Sequence, residues 1–199
     1  MRILSWNVNG IRSNIINDKT TSSKVADIPM NTDSNLQKCI DKYDPDVICF
    51  SEVRCAEDVC RRIVYEPFPY KYYYQSTRTE RGRGSGYSGV AIWSKTLPIS
   101  ITRGLPTLLE ENNEGRVIVA EYDNYYLINV YTPNSGTNEE YRINTWDNSM
   151  YDYINSLKEK KEVILVGDMN VCHQPIDYYK DIPKKDRIAG LLPEERHNF

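Results

Sequence analysis

With 199 residues, 40% of them hydrophobic and 27% charged, the chain has an ordinary globular composition and can bury a substantial core in one domain spanning 1–199. Its formal net charge of -3 excludes a bulk-basic nucleic-acid binder, so any contact with nucleic acid requires basic residues gathered on one face. The five cysteines (Cys39, Cys49, Cys55, Cys60 and Cys172) include no Cys-x-x-Cys pair, which argues against a disulfide scaffold or zinc site and for a reducing compartment.

No apolar stretch approaches the ~18 residues of a membrane helix, and the start is too short and polar for a signal peptide. The expectation is a soluble intracellular protein with no membrane partner.

In chain order, the first predicted strand is Arg2–Trp6. Residues 17–34 are polar and read as an exposed loop. Leu36, Ile40 and Tyr43 then fit one face of a short helix behind Asp33, a good N-cap. Val47–Ser51 and Val90–Ser94 are apolar runs of strand length, and Cys49 inside the first of them is predicted as a small buried thiol. Arg116–Tyr122 and Tyr125–Tyr131 flank Asp123-Asn124, a two-residue turn signal that predicts an antiparallel hairpin. Thr137 and Glu140 have capping-box spacing, and Trp146, Met150, Tyr153 and Leu157 follow at helical intervals up to Lys158, Lys160 and Lys161. The last strand is Glu162–Gly167. Strands alternating with helices predict a layered α/β domain. From Gln174 onward the chain is polar and reaches no further strand.

Gly84-Ser85-Gly86-Tyr87-Ser88-Gly89 matches the dinucleotide fingerprint letter for letter, but it precedes a strand instead of leading from one into a helix. With Arg78, Arg81 and Arg83 nearby, it is either a flexible solvated loop or a place where backbone and guanidinium groups approach a phosphate.

Four strand exits carry chemistry. Asn7 and Asn9 follow the first strand, and Glu52 and Arg54 follow the second. Tyr131 and Asn134 lie at the end of the hairpin, and Asp168 and Asn170 close the last strand. Taken singly, each has a dull explanation: an Asx turn, a surface ion pair, a half-buried tyrosine. Gathered at one sheet end, they would form a pocket of hard oxygen ligands and hydrogen-bond donors, which suits Mg²⁺ and phosphodiester hydrolysis.

These segments also carry a family resemblance. Trp6-Asn7-Val8-Asn9-Gly10-Ile11-Arg12, Ser51-Glu52-Val53-Arg54-Cys55, Tyr87-Ser88-Gly89-Val90, Glu114-Gly115-Arg116-Val117-Ile118, Tyr131-Thr132-Pro133-Asn134-Ser135-Gly136 and Gly167-Asp168-Met169-Asn170-Val171 follow one another as in apurinic/apyrimidinic endonucleases of the exonuclease III type. Leu192-Pro193-Glu194-Glu195-Arg196 resembles the helix start that comes next in that family.

The resemblance implies an endonuclease/exonuclease/phosphatase fold, a four-layered α/β sandwich of the deoxyribonuclease I kind. It further implies Mg²⁺-dependent hydrolysis of DNA on the 5′ side of abasic sites in base excision repair, with Mn²⁺ as a substitute ion. Double-stranded DNA containing abasic sites would be the partner of a monomer, and 3′-5′ exonuclease or 3′-phosphodiesterase activity could accompany the incision. Carried over by position, Glu52 is the principal metal ligand, with Asn7 close to the metal. Asp168 orients and deprotonates the attacking water, Asn170 helps hold it, and Tyr131 donates its phenol to the scissile phosphate with Asn134 nearby. Arg54, Tyr87 and Arg116 contact or support the phosphate-binding face. Asn9 stands where some members carry aspartate.

In that family a later Ser-Asp-His segment supplies a catalytic histidine. Neither His173 nor His197 has that context, and the chain resembles about the first two-thirds of such an enzyme. The expectation is therefore an incomplete second sheet, in either a piece of a longer product or a truncated form. The alternatives are an impaired DNA-binding pseudoenzyme and a nuclease or phosphatase of the same fold acting on another phosphodiester.

Overall fold

The computed structural model describes residues 1–15, 27–77, 87–108, 114–178 and 187–199. Two four-stranded sheets dominate them. The first has the order β1-β3-β6-β5, built from β1 (Ile3–Asn7), β3 (Val47–Ser51), β6 (Val90–Ser94) and β5 (Tyr70–Tyr74). The second has the order β10-β9-β8-β7, from β10 (Glu162–Asp168), β9 (Tyr125–Tyr131), β8 (Val117–Glu121) and β7 (Ser100–Arg103). A two-residue ribbon pairs β2 (Ile28–Pro29) with β4 (Ile63–Val64).

Both sheets begin with a parallel pair, β1 with β3 and β10 with β9, and continue antiparallel. The predicted hairpin is present: Tyr122 N–H donates to the Tyr125 carbonyl at 2.9 Å across Asp123-Asn124.

The central strands are continuous apolar runs because both of their faces are covered. Alternation divides their side chains between layers. Val47, Cys49, Val90 and Ile92 of the first sheet meet Ile118, Ala120 and Leu127 of the second in one cluster between the sheets. On the other face of the first sheet, Ile48, Phe50, Ala91 and Trp93 pack with Ile11 and Ile15 of α1 (Ile11–Ile15) and Leu36 and Ile40 of α2 (Asn35–Tyr43). Outside the second sheet, Val117, Val119, Ile128 and Val130 pack under Trp146 and under Met150 and Leu157 of α4 (Asn148–Lys158). Two other short α-helices are α3 (Glu57–Arg61) and α5 (Pro193–Asn198). The five cysteines are free, and burial pushes the Cys49 thiol up from its ordinary pKa. Among the described residues, no helix is long and apolar enough to cross a membrane.

Several local expectations need correction. The cap of α2 is Ser34, whose Oγ accepts from Gln37 N–H at 3.0 Å, while Asp33 donates its own N–H to Asn31. Tyr43, the last residue of that helix, lies beyond the buried face and is 48% exposed. The helix after Glu140 begins as a π-helix, Tyr141–Asp147, and Glu140 makes no side-chain cap bond. In the segment expected to be loop, Ile28 is buried in the small ribbon, while residues 16–26 lie outside the described residues. So do Arg78, Arg81, Arg83 and the first three residues of the glycine-rich motif.

Candidate active site

Three loops converge at the end of the sheets where β1, β3 and β10 terminate, and backbone hydrogen bonds lock the two loops of the first sheet together. After β1, the N–H groups of Val8, Gly10 and Ile11 donate to the carbonyls of Ser51, Glu52 and Val53 at 3.0, 2.8 and 2.9 Å. The N–H groups of Val53 and Arg54 in turn donate to Gly89 and Ser88 at 3.0 and 2.9 Å. Meeting these partners forces the chain into the left-handed region at Asn9, Glu52, Arg54 and Ser88, with φ of 43°, 53°, 46° and 53°. Such φ values are uncommon outside glycine, and they concentrate at functional sites.

The third loop follows β10. Gly167 is required there because strand pairing brings the Val130 carbonyl to 1.9 Å from where a Cβ would sit. Asp168 Oδ1 accepts Asn170 N–H at 2.9 Å, and Asn170, at φ 48°, donates its amide to the Thr132 carbonyl at 2.6 Å. Thr132 N–H donates to the Asp168 carbonyl at 2.9 Å. The bland Asx turn considered for this tripeptide is therefore real, and it is also the device that aims the Asp168 carboxylate.

Asn7 joins the two sheets. Its Nδ2 donates to Glu52 Oε1 at 2.9 Å and to Asp168 Oδ2 at 2.8 Å, while its Oδ1 accepts Asn9 N–H at 3.1 Å. One amide thus bridges two carboxylates from different sheets. The other oxygen of Glu52 pairs with Arg54, whose side chain is 44% exposed against 14% for Glu52.

Tyr131, at the end of β9, stands over the same space. Its phenol is pushed up to about 12, first by burial and then by the charge of Glu52 and a hydrogen bond to it, with Asp168 adding and Arg116 opposing. The phenol therefore stays protonated and able to donate across the physiological range.

Arg116 is buried. Its Nε donates to Glu114 at 2.6 Å, Nη1 to the Tyr131 carbonyl at 3.0 Å and Nη2 to Tyr87 Oη at 3.0 Å. The guanidinium carbon lies 4.8 Å from the centroid of the Tyr131 ring. Asn134 has turned its Oδ1 to accept Gly136 N–H at 2.9 Å and is exposed. His173 engages α5 instead of the site: its Nδ1 lies 3.2 Å from the Arg196 carbonyl, and its ring meets Phe199.

Hydrogen bonds thus gather Asn7, Glu52, Arg54, Asp168 and Asn170, with Tyr131 beside them. Arg116 and Tyr87 act from beneath. Sequence reasoning missed three contributors: Glu114, which anchors Arg116; Thr132, which holds both members of the Asp168/Asn170 pair; and Asn129. The last is fully buried between the sheets and donates to the Phe50 and Ala91 carbonyls, each at 2.9 Å. A polar residue inside the apolar run of β9 was its signal.

Among the described residues, no three His, Cys, Asp or Glu side chains cluster as metal ligands. The Glu52 and Asp168 carboxylates, which the Asn7 Nδ2 spans here, are hard-oxygen donors that fit Mg²⁺, which takes one or two carboxylates and completes its shell with water and phosphate oxygens. A cavity of about 540 Å³ beside α4, bordered by Thr102, Val119, Tyr126, Tyr153 and Lys160, includes none of these residues.

Comparison with known proteins gives concordant results. The Endonuclease/Exonuclease/phosphatase family matches residues 4–194. The chain is 36% identical over 205 residues to the DNA repair nuclease APEX1 of Danio rerio, covering 100% of this chain and 58% of that protein. It is 33% identical over 203 residues to an exodeoxyribonuclease of Bacillus subtilis, covering 100% and 69%. The crystal structure of an AP endonuclease from Leishmania major superposes with a TM-score of 0.71 at 25% identity, covering 99% of this chain and 64% of that one. The chain thus spans little more than half the length of the zebrafish relative.

Proposed function

Since the chain belongs to the endonuclease/exonuclease/phosphatase family, we propose that its strand-exit pocket hydrolyses a phosphodiester of DNA, 5′ to abasic sites in base excision repair, with Mg²⁺ as the cofactor. The observation that carries this reading is the single Asn7 amide holding carboxylates from both sheets, at 2.9 and 2.8 Å, beside a phenol kept protonated.

Glu52 and Asn7 would hold the ion, with Asp168 at its margin. When bound, the ion supplies positive charge that stabilises the developing phosphorane. Asp168, aimed by Asn170 N–H, takes the proton of the attacking water, a general-base role. Asn170 orients that water and a phosphate oxygen. Tyr131 donates its phenol to a nonbridging oxygen, and the burial that keeps it protonated makes it a donor and not a base. Arg54, beside Glu52 and 44% exposed, would reach a phosphate from the solvent side. Arg116 and Tyr87 hold Tyr131 in place, and Asn134 lies on the turn that follows. The names of relatives that act on apurinic or apyrimidinic sites support the abasic substrate. A role of the chain as a monomer, and accompanying exonuclease or 3′-phosphodiesterase activity, belong to the same proposal.

The test is incubation of the full chain with a duplex carrying one abasic site, with Mg²⁺ or with EDTA. Incision that needs the ion, and that falls by about 10²–10⁴ in Asp168→Asn, is the expected result. Metal-independent incision overturns the reading, and salt-dependent binding without turnover would leave a binding role in its place.

A further inference from the structure

A buried ionic cluster lies behind the Asp168–Asn170 turn and is not accounted for by the chemistry above. Arg142, in the π-helix Tyr141–Asp147, is 3% exposed. Its Nη1 meets Asp147 Oδ2 at 3.0 Å and lies 3.7 Å from Oε1 of the fully buried Glu195 in α5. Its Nη2 donates to the Met169 carbonyl at 3.0 Å. Glu195 Oε2 accepts the N–H groups of Gly190 and Leu192 at 2.7 and 3.3 Å, and the Gly190 carbonyl accepts Cys172 N–H at 2.8 Å. Asn198 adds its amide to Asp147 at 3.2 Å. The π-helix, α5 and the segment after β10 are therefore joined through one guanidinium.

Stability alone does not explain this arrangement. Buried ion clusters are desolvated at a cost that apolar side chains of similar volume avoid. This one also leaves Arg142 Nε and Glu195 Oε1 without hydrogen-bond partners, a further penalty. What an apolar replacement could not supply is the bond to Met169, the residue between Asp168 and Asn170. A π-helix is itself rare and concentrates at functional sites.

We propose that Arg142, clamped by Asp147 and Glu195, is a positioning residue: by fixing the Met169 carbonyl it sets the directions of the Asp168 and Asn170 side chains on either side. The proposal rests on the functional reading above, which makes those two side chains reacting groups. The mechanism is geometric. Asn170 sits at φ 48°, a conformation that its neighbours must hold against its own preference. Rotation of the Met169–Asn170 peptide plane would break the bond from Asn170 N–H to Asp168 Oδ1 and turn the carboxylate off its line. An error of an ångström at a reacting group lowers rates by about a hundredfold.

The test compares ¹⁵N-labelled full chain with Arg142→Lys, which keeps the charge and loses the planar fork. The amide proton of Asn170 reports its bond to Asp168 directly. It is expected to move upfield in the variant, while the Ile48 and Ile92 amides, in the first sheet, stay in place. An Asn170 resonance coincident with the parent's overturns the proposal. If Arg142→Lys does not fold, Glu195→Gln is read in the same way, because it loosens one side of the clamp and keeps the guanidinium. On abasic duplex, Arg142→Lys is expected to lower kcat tenfold or more at unchanged KM, and an unchanged kcat would also overturn the role. A parent chain that cuts no abasic DNA would remove the functional reading, while the Asn170 resonance would still decide whether Arg142 positions the turn.

Discussion

Arg116→Ala removes a buried cation whose three nitrogens each donate inside the protein, to the Glu114 carboxylate, the Tyr131 carbonyl and the Tyr87 hydroxyl. Removing one partner of a buried ion pair costs about 3–5 kcal/mol, because the other charge is left uncompensated. Here the partner is not fully enclosed: the Glu114 side chain retains 17% of its exposure and water can reach it after the change. The Tyr131 carbonyl and the Tyr87 hydroxyl would lose charge-assisted bonds, each worth about 1.5–3 kcal/mol net when the donor is an ion. Setting the rehydrated carboxylate aside and counting only the two lost bonds, at the low end of their range, gives a loss of about 3 kcal/mol. With a urea slope of about 2 kcal/mol/M, the unfolding midpoint should fall by about 1.5 M. Arg116→Lys keeps a cation but not the fork, and should lose roughly half as much. The same reasoning makes Arg116 a support for Tyr131 and not a phosphate contact. The slope of log DNA affinity against log salt should therefore be unchanged in Arg116→Ala, which removes the charge, whereas each lost phosphate contact lowers that slope by about 0.9. A midpoint within about 0.3 M of the parent's, or a salt slope lower by about one, in Arg116→Ala would refute the argument.

The Tyr131 phenol offers a second check. Its pKa is raised to about 12, so the folded state holds its proton more tightly than the unfolded state does. The associated stability is complete below pH 10 and is lost as pH rises from about 10 to about 12. The ultraviolet titration difference between parent and Tyr131→Phe should show a phenol ionising near pH 12, and a difference centred near 10 would contradict the burial argument. Glu52→Gln removes the negative neighbour and should bring that midpoint down. Asn129→Ala strips the Phe50 and Ala91 carbonyls of their inter-sheet donor and should cost about 2 kcal/mol in urea unfolding; no measurable change would mean that the bridge contributes nothing net.

Much of this molecule was legible in its sequence, for a physical reason. β3 and β6 are buried along their whole length, so their apolar runs are unbroken, whereas β10 is a half-buried edge strand whose run is nonetheless apolar up to Gly167. β5 and β7 were missed. Tyr70–Tyr74 mixes aromatic residues with a lysine, and Ser100–Arg103 is an edge strand with a single apolar side chain. The four chemical strand exits were visible because each carries its polar pair just past an apolar run. Their convergence was not visible, since Asn7 and Asp168 are 161 residues apart and meet only when two separate sheets pack. The support beneath the site was hidden in another way. Arg142 falls four residues before Trp146, on the apolar stripe that Met150, Tyr153 and Leu157 continue, and periodicity alone marks such a residue as a break in the pattern. Only the Met169 carbonyl at 3.0 Å gives it a task.

The proposed chemistry requires a divalent ion at the junction of the two sheets. The most direct measurement titrates Mn²⁺, as a paramagnetic substitute for Mg²⁺, into the ¹⁵N-labelled chain and follows amide line widths. Selective broadening of Asn7, Glu52 and Asn170 that competing Mg²⁺ reverses and Glu52→Gln removes is the result predicted here. Uniform line widths, or broadening centred elsewhere, would contradict it.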